Sequence, residues 1–161
     1  MSADVHLRSV QPADVDVFFL QQQELEAQRR ANFRARDRPA FTEHWTQRIL
    51  GDPDVSARTV LAGGEIAGNV VSWWQGEHRE VGYWLGQAFW GRGVGTRAVT
   101  LYLDVEPVRP LTATADVGNT ASIRLLERCG FTAVETVRQA DVAFVVLELR
   151  SAPAPTSAPT R

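Results

Sequence analysis

Three glycines at alternating positions, Gly91, Gly93 and Gly95, lie where a predicted strand is followed by a predicted helix. The strand covers residues 78–85, and the helix begins at Gly93 and keeps its apolar side chains on one face. Residues 110–116 predict the next strand. Because a strand, a helix and a strand in this order form a right-handed crossover between parallel strands, the chain must fold as a sheet with helices packed on it.

The remaining segments complete a mixed sheet. Pro12 opens a helix whose apolar side chains extend to Leu25, Pro39 opens a second helix, and Asn119 caps a later one that ends at Gly130. The other predicted strands cover residues 5–10, 55–62, 65–75, 132–138 and 142–149. We therefore expect a mixed α+β fold in the order β-α-α-β-β-β-α-β-α-β-β, with about seven strands and about four helices.

Length and composition indicate one domain. The chain has 161 residues and is 44% apolar, which is enough for a single sizeable core. We assign residues 1–150 to that domain. Residues 151–161 contain almost only Ala, Pro, Ser and Thr, so this tail has little to bury and is expected to be disordered.

Charge and cysteine content exclude several classes of function. Lys and Arg number 17 against 19 Asp and Glu, so the chain lacks the cationic field of a nucleic-acid-binding protein. No signal sequence and no apolar run long enough to span a membrane is present, which predicts a soluble cytoplasmic protein. Cys129 is the only cysteine, so neither an internal disulfide nor a zinc site is expected. A monomer and a homodimer are both compatible with the sequence.

The turn of residues 90–96 is suited to a phosphate group. Its glycines expose backbone amides, and the start of a helix adds about half a positive charge. A dinucleotide-binding fingerprint is excluded because Thr96 stands at the third glycine position, and the Gly-Lys-Ser/Thr triplet of a P-loop is missing. On the glycines alone, a tight turn or a close helix-to-sheet contact explains the pattern about as well.

Three sequence blocks, one of which contains this turn, indicate a resemblance to a known protein family. They are Glu80-Val81-Gly82-Tyr83-Trp84-Leu85, then Trp90-Gly91-Arg92-Gly93-Val94-Gly95-Thr96, then Asn119-Thr120-Ala121-Ser122 leading to Gly130-Phe131. Together they cover the second half of the chain, which resembles the GNAT superfamily of N-acetyltransferases. Trp90 stands where the superfamily motif usually has Gln or Arg, as in the branch that acetylates the N-termini of ribosomal proteins. The resemblance implies a GNAT-like fold.

The resemblance also implies acetyl-CoA as co-substrate, with no metal, and assigns roles to these residues. The strand at Trp84 and Leu85 would hold the pantetheine arm, Asn119 would contact that arm, and Ser122 would lie near the thioester sulfur. Helix capping alone would also explain Asn119, and Arg124 is either a phosphate ligand or a solvated side chain. The CoA pyrophosphate would bind the segment Arg92, Gly93, Val94, Gly95 and Thr96.

Acetyl transfer to an amine needs a neutral nucleophile and a hydrogen-bond donor for the departing thiolate. In many members of the family that the sequence resembles, a tyrosine plays this donor role. The residues just after Asn119 include no tyrosine, so the resemblance favours Ser122 as the donor. Glu80 is the predicted base, with an ion-pair partner as the alternative role. His44 is predicted to line the acceptor cleft, unless it is only a partly exposed histidine.

The acceptor is therefore expected to be a primary amine, either a protein N-terminus or a small molecule. An α-amine has a pKa of about 8, close enough to neutrality to need little help from a base. The alternative is an acyl-CoA-binding or regulatory module that uses the same fold without catalysing a reaction.

Overall fold

The computed structural model describes residues 4–151 and confirms the α+β fold. One sheet of seven strands has the order β1-β2-β3-β4-β5-β7-β6. The strands are β1 (Val5–Arg8), β2 (Ser56–Ala62), β3 (Glu65–Gln75), β4 (His78–Leu85), β5 (Leu111–Asp116), β6 (Thr132–Gln139) and β7 (Val142–Leu149). The helices are α1 (Pro12–Gln22), α2 (Leu25–Ala31), α3 (Arg38–Glu43), α4 (Val94–Tyr102) and α5 (Thr120–Arg128). A π-helical segment, His44–Ile49, continues α3. Apart from Ser151, the predicted disordered tail lies outside the described residues.

Strands β4 and β5 are the parallel pair that the sequence predicts, and they separate after a short contact. Only two residue pairs join them, Arg79 with Leu111 and Glu80 with Thr112. Strand β4 nevertheless stays paired with β3 as far as Leu85. The β5-facing edge of β4 beyond Glu80 therefore has no strand partner, and the sheet opens into a wedge.

The two faces of the sheet are covered by different helices. On one face, α4 packs through Val94, Ala98 and Val99 into a core that also holds Val81 and Leu85. On the other face, α1, α3 and the π-helical segment contribute Phe18, Phe41 and Trp45, respectively, to a second core against β3. Each such aromatic side chain contributes on the order of 2 kcal/mol when it is fully buried. The wedge between β4 and β5 lies between the two helical layers.

The helix that was predicted from Pro12 as far as Leu25 is two helices, which raises the count from about four to five. Helix α1 ends at Gln22, and Leu25 opens α2 with 80% of its surface exposed. Contacts with the end of β4 explain the break. The Trp84 indole donates to the Gln21 carbonyl oxygen at 3.1 Å. The Glu24 carboxylate accepts from the Gln87 amide at 2.9 Å, so the chain is held where the helix would have continued.

Candidate active site

A cavity of about 520 Å³ occupies the wedge between β4 and β5. Its walls come from β4, the turn before α4, the first turn of α4, one side of α5 from its N-cap to Arg128, and one side of α2. Because α2 lies on the opposite face of the sheet from α4 and α5, the cavity passes through the sheet. It brings together most of the predicted site residues, namely Trp84, Leu85, Gly93, Val94, Gly95, Thr96, Asn119, Ser122 and Arg124.

The N-terminus of α4 presents free backbone donors to this cavity. Gly91 and Gly93 have φ angles of 70° and 75°, in the left-handed region that glycine tolerates best. Gly93 is the N-cap, and no side chain caps the helix. Its carbonyl oxygen accepts from the amide of Arg97, so the amides of residues 94–96 have no partner within the helix. These amides and the helix dipole favour an anion.

Gly95 serves close packing as well as the turn. A Cβ atom at this position would lie 2.5 Å from Leu125 Cδ1 and 3.0 Å from Leu85 Cδ1. The absent side chain therefore lets α4 approach both α5 and β4. The sequence left a close helix-to-sheet contact open beside the phosphate cradle, and Gly95 makes such a contact, which sets the distance between the cavity walls.

The open edge of β4 forms a second wall. The indole of Trp90 donates to the Leu85 carbonyl oxygen at 3.1 Å, which fixes the turn against the strand. The side chain of Trp84 lies on the other face of the sheet, where its ring is 5.5 Å from that of Phe33. Trp84 and Leu85 thus border the cavity from the part of β4 that lies beyond its pairing with β5, an edge open to an extended ligand.

The N-terminus of α5 differs from that of α4 because a side chain caps it. Asn119 Oδ1 accepts from the Ser122 amide at 3.3 Å, as the sequence predicted for an N-cap. The Ser122 hydroxyl lies 2.6 Å from the phenol oxygen of Tyr83 on β4. Burial raises the pKa of Tyr83 to about 12, although the Ser122 hydrogen bond acts in the opposite direction.

Tyr83 is a site residue that the sequence reasoning missed. The search for a tyrosine was confined to the residues after Asn119, whereas Tyr83 reaches Ser122 from another element. Strand alternation carried the missing signal, since Tyr83 shares a face with Val81 and Leu85 and therefore points towards the layer of α4 and α5.

Helix α2 closes the cavity on the opposite face. Ala27, Arg30 and Ala31 line the cavity. The Arg30 guanidinium lies 4.5 Å from the centre of the Trp90 ring, a cation–π contact that connects α2 to the turn before α4. At the same C-terminal end of α2, the C-cap residue Asn32 donates through Nδ2 to Asp116 Oδ1 at 3.2 Å, so this end of the helix contacts both the turn before α4 and the end of β5.

Three of the predicted residues lie outside the cavity lining. Arg92 is exposed, with its guanidinium 5.7 Å from the centre of the Phe89 ring. Glu80 is half-buried in the last residue pair between β4 and β5. Burial raises the pKa of Glu80, and the charge of nearby His78 lowers it. His44 is half-buried at the start of the π-helical segment.

The surroundings of His44 favour its neutral form. Burial lowers the pKa of His44, and the charges of Arg36 and Arg48 lower it further. The side chain of Glu80 shares a sheet face with Trp73, which packs against the core of α1 and α3. Glu80 and α3, from which His44 follows, therefore belong to the same side of the sheet.

Within residues 4–151, no cluster of three or more His, Cys, Asp or Glu side chains is arranged to hold a metal ion. The helices in that range also include none that is long and apolar enough to cross a membrane.

The residues present fit a cofactor that carries a pyrophosphate and an extended arm. The uncapped amides of residues 94–96 suit the pyrophosphate, and the open edge of β4 suits an arm with amide groups. The wedge, the glycine-capped helix and the cavity thus form a site in an α+β fold that is suited to such a cofactor. The chain matches the family model described as an acetyltransferase (GNAT) domain over residues 4–132. It therefore belongs to the GNAT acetyltransferase family.

Solved structures share the fold at low sequence identity. The aminoglycoside acetyltransferase AAC(6')-Ib in complex with coenzyme A is 22% identical, with a TM-score of 0.76 over 91% of this chain and 95% of that chain. A GNAT-family acetyltransferase from Bacillus anthracis is 15% identical, with a TM-score of 0.74 over 93% and 96% of the two chains. A variant of the spermidine N-acetyltransferase SpeG from Vibrio cholerae is 12% identical, with a TM-score of 0.74 over 91% and 93%. No curated protein sequence matches the chain.

Proposed function

We propose that the protein transfers the acetyl group of acetyl-CoA to a primary amine by direct attack in a ternary complex. The observation that carries this proposal is the cavity through the wedge, which α4 and α5 line on one face of the sheet and α2 on the other. A cofactor can enter from the first face while an acceptor approaches from the second. Both reactants then meet between β4 and β5 without a covalent enzyme intermediate.

The cofactor side has a donor for each polar part of acetyl-CoA. The amides of residues 94–96 bind the pyrophosphate, and the exposed guanidinium groups of Arg92 and Arg124 add positive charge at the rim. The edge of β4 at Trp84 and Leu85 binds the pantetheine arm, with the Asn119 amide contacting it from α5. Ser122 then lies beside the thioester, where its hydroxyl donates a hydrogen bond to the departing sulfur.

Glu80 serves as the base, acting through water. Its position at the last rung before β4 and β5 separate places it at the closed end of the wedge. The raised pKa supports this role, because a carboxylate with a higher pKa takes a proton more readily. His44 contacts the acceptor further out, as a neutral imidazole that can accept a hydrogen bond from an amine.

The acceptor is an α-amine of a protein or a small amine. The ribosomal-type branch suggested by Trp90 favours a protein N-terminus, whereas the similar structures are named for aminoglycosides and spermidine. An α-amine with a pKa of about 8 loses only about 1.4 kcal/mol to deprotonation at neutral pH, against about 4.6 kcal/mol for a lysine side chain. The single predicted base is therefore sufficient for an α-amine.

Thiol release with acetyl-CoA tests the proposal. The panel contains peptides with free α-amines, kanamycin, spermidine and free amino acids, and titration calorimetry measures acetyl-CoA binding in parallel. We expect binding together with turnover of at least one amine. Binding without turnover of any amine would instead support the non-catalytic acyl-CoA-binding module, and an absence of binding would overturn both.

Replacing Glu80 tests the base. Glu80→Gln should lower kcat/KM by about a hundredfold, since general base catalysis contributes about 10² to 10⁴. In the parent, activity should rise with pH as Glu80 and the amine lose their protons, and the limb due to Glu80 should disappear in the variant. An unchanged rate and pH profile would show that Glu80 has only a structural role.

A further inference from the structure

Two tyrosine–serine pairs occur in the described part of the chain, one buried and one part-buried, and their hydrogen bonds differ. Tyr102 on α4 lies 2.6 Å from Ser72 on β3, and Tyr83 on β4 lies 2.6 Å from Ser122 on α5. Each pair has two hydroxyl hydrogens to place. What separates the pairs is the number of other acceptors within reach.

In the first pair both hydrogens have acceptors outside the pair. The Ser72 hydroxyl donates to Glu106 Oε1 at 2.7 Å. The Tyr102 phenol can then donate to Ser72 Oγ at 2.6 Å, and it has the Ser56 carbonyl oxygen at 3.0 Å as a second acceptor. A buried guanidinium, that of Arg79, also donates to this carboxylate. This pair is therefore a closed structural network, and its residues do not line the cavity between β4 and β5.

In the second pair only one hydrogen has an acceptor. Within residues 4–151, the hydroxyls of Tyr83 and Ser122 make hydrogen bonds to each other and to no further side chain or carbonyl group. A phenol is the stronger acid and hence the better donor, and a buried phenol needs to use its hydrogen. Tyr83 therefore donates to Ser122, and the hydrogen of Ser122 remains without a protein acceptor at the cavity wall.

We infer that Tyr83 is a positioning residue for acyl transfer, which orients the Ser122 hydroxyl so that its hydrogen points to the sulfur of the departing thiolate. This inference rests on the proposed function. It adds to that function a residue whose phenol acts through Ser122 and not by donating to the thioester directly.

The bond changes in this step balance without a change in the charge of Tyr83. The amine nitrogen bonds to the carbonyl carbon, the C–S bond breaks, and its electron pair stays on the sulfur. The Ser122 hydroxyl stabilises this thiolate by a hydrogen bond, and the thiolate takes a proton from water when CoA leaves. The proton of the amine goes to Glu80 through water.

Acidity explains why Tyr83 orients the serine and does not protonate the sulfur. Burial raises the pKa of Tyr83 to about 12, whereas an ordinary thiol has a pKa of about 8.5. A proton would therefore move from Tyr83 to the thiolate only against a difference of more than three pKa units. Tyr83 stays neutral throughout and keeps its hydrogen on Ser122.

Paired variants test the inference with acetyl-CoA and the best acceptor among peptides with a free α-amine, kanamycin and spermidine. Ser122→Ala should lower kcat by about a hundredfold, as the loss of a transition-state donor does. Tyr83→Phe should lower kcat by about tenfold, because Ser122 remains but is no longer oriented. The KM for acetyl-CoA should change less than about twofold in both variants. The double variant should be no slower than Ser122→Ala alone, since Tyr83 acts only through Ser122.

The other pair supplies the matched control. Tyr102→Phe removes the same kind of buried phenol from the structural network, so it should lower the melting temperature and leave kcat unchanged. If Tyr102→Phe lowers kcat as much as Tyr83→Phe, the effect is one of general stability and the inference is wrong. The inference is also wrong if Tyr83→Phe is as active as the parent, or if Ser122→Ala is active and Tyr83→Phe is not, which would make Tyr83 the direct donor.

Failure of this inference is distinguishable from failure of the proposed function. A parent protein that binds acetyl-CoA and acetylates no amine overturns both. A parent protein that acetylates an amine, with a Tyr83→Phe variant of equal kcat, leaves the proposed function in place and overturns only the role of Tyr83.

Discussion

The N-termini of α4 and α5 both border the cavity, yet they satisfy their backbone donors in opposite ways. At α5 the side chain of Asn119 accepts from the Ser122 amide. At α4 the N-cap is Gly93, which has no side chain to offer. One helix start is completed by its own sequence, and the other needs a partner from outside the chain.

This difference shows that the residue at the N-cap decides whether the first amides of a helix stabilise the fold or remain available to a ligand. A side-chain cap typically contributes about 1 kcal/mol to folding. Because Gly93 has no side chain, α4 lacks that contribution. The positive φ at Gly93 would strain most other residues. The amides that a cap would have occupied remain available to an anionic ligand, and binding that ligand restores the missing stabilisation.

Placing a carboxylate at the uncapped helix start should have the largest effect. Gly93→Asp puts a negative charge beside the amides of residues 94–96, and Asp tolerates the left-handed conformation better than most residues. We expect the Kd for acetyl-CoA to rise about a hundredfold, equivalent to losing one or two charge-assisted hydrogen bonds. Titration calorimetry provides the measurement.

Gly93→Asn is the control for shape. Asn has nearly the same size as Asp and also tolerates a positive φ, but it carries no charge. It should weaken acetyl-CoA binding only a few-fold, so most of the loss in Gly93→Asp can be assigned to charge. Equal losses in the two variants would mean that the turn is sensitive to bulk and that its amides do not bind a phosphate.

Changing the capped helix start should have an intermediate effect on binding. Asn119→Asp keeps an oxygen that caps α5 but removes the amide donor and adds a negative charge near the cofactor. We expect an unchanged melting temperature and about tenfold weaker acetyl-CoA binding. Asn119→Ala should instead lower the free energy of unfolding by about 1 kcal/mol, because it removes the cap itself. If Asn119→Asp binds acetyl-CoA as the parent does, Asn119 is a cap only.

A change in ionic strength should have the smallest effect on acetyl-CoA binding, and it should act mainly at the N-terminus of α4. Raising the ionic strength from about 0.05 M to about 0.5 M should weaken acetyl-CoA binding about threefold in the parent, because it screens the rim charges of Arg92 and Arg124. Thermal unfolding of the ligand-free protein should change little over the same range. A salt-independent Kd would argue against phosphate binding at this rim.

Local signals in the sequence predicted most of the fold. The glycine turn, the Asn119 cap and the end of α5 at Gly130 each depend on a few neighbouring residues, and the structure has all three. The bounds of β3, β4 and β7 agree with the prediction to the residue. Hydrophobic spacing and turn residues fix these elements before any tertiary contact forms.

Contacts between distant residues account for what the sequence did not predict. The break between α1 and α2 depends on Glu24 and Gln87, which are 63 positions apart. The Tyr83 and Ser122 contact spans 39 positions and depends on how α5 packs against β4. The separation of β4 from β5 has no local marker either, since it follows from where a parallel pairing stops. The fold was therefore easier to predict than the detailed site.

The short contact between β4 and β5 also divides the molecule mechanically. Four strands lie on one side of that seam and three on the other, and only two residue pairs join the halves within the sheet. The seam is thus the line along which the sheet resists bending least, and the cavity lies along it. Any molecule held there touches both halves, so its arrival stiffens the whole domain and its departure lets the two parts move more independently.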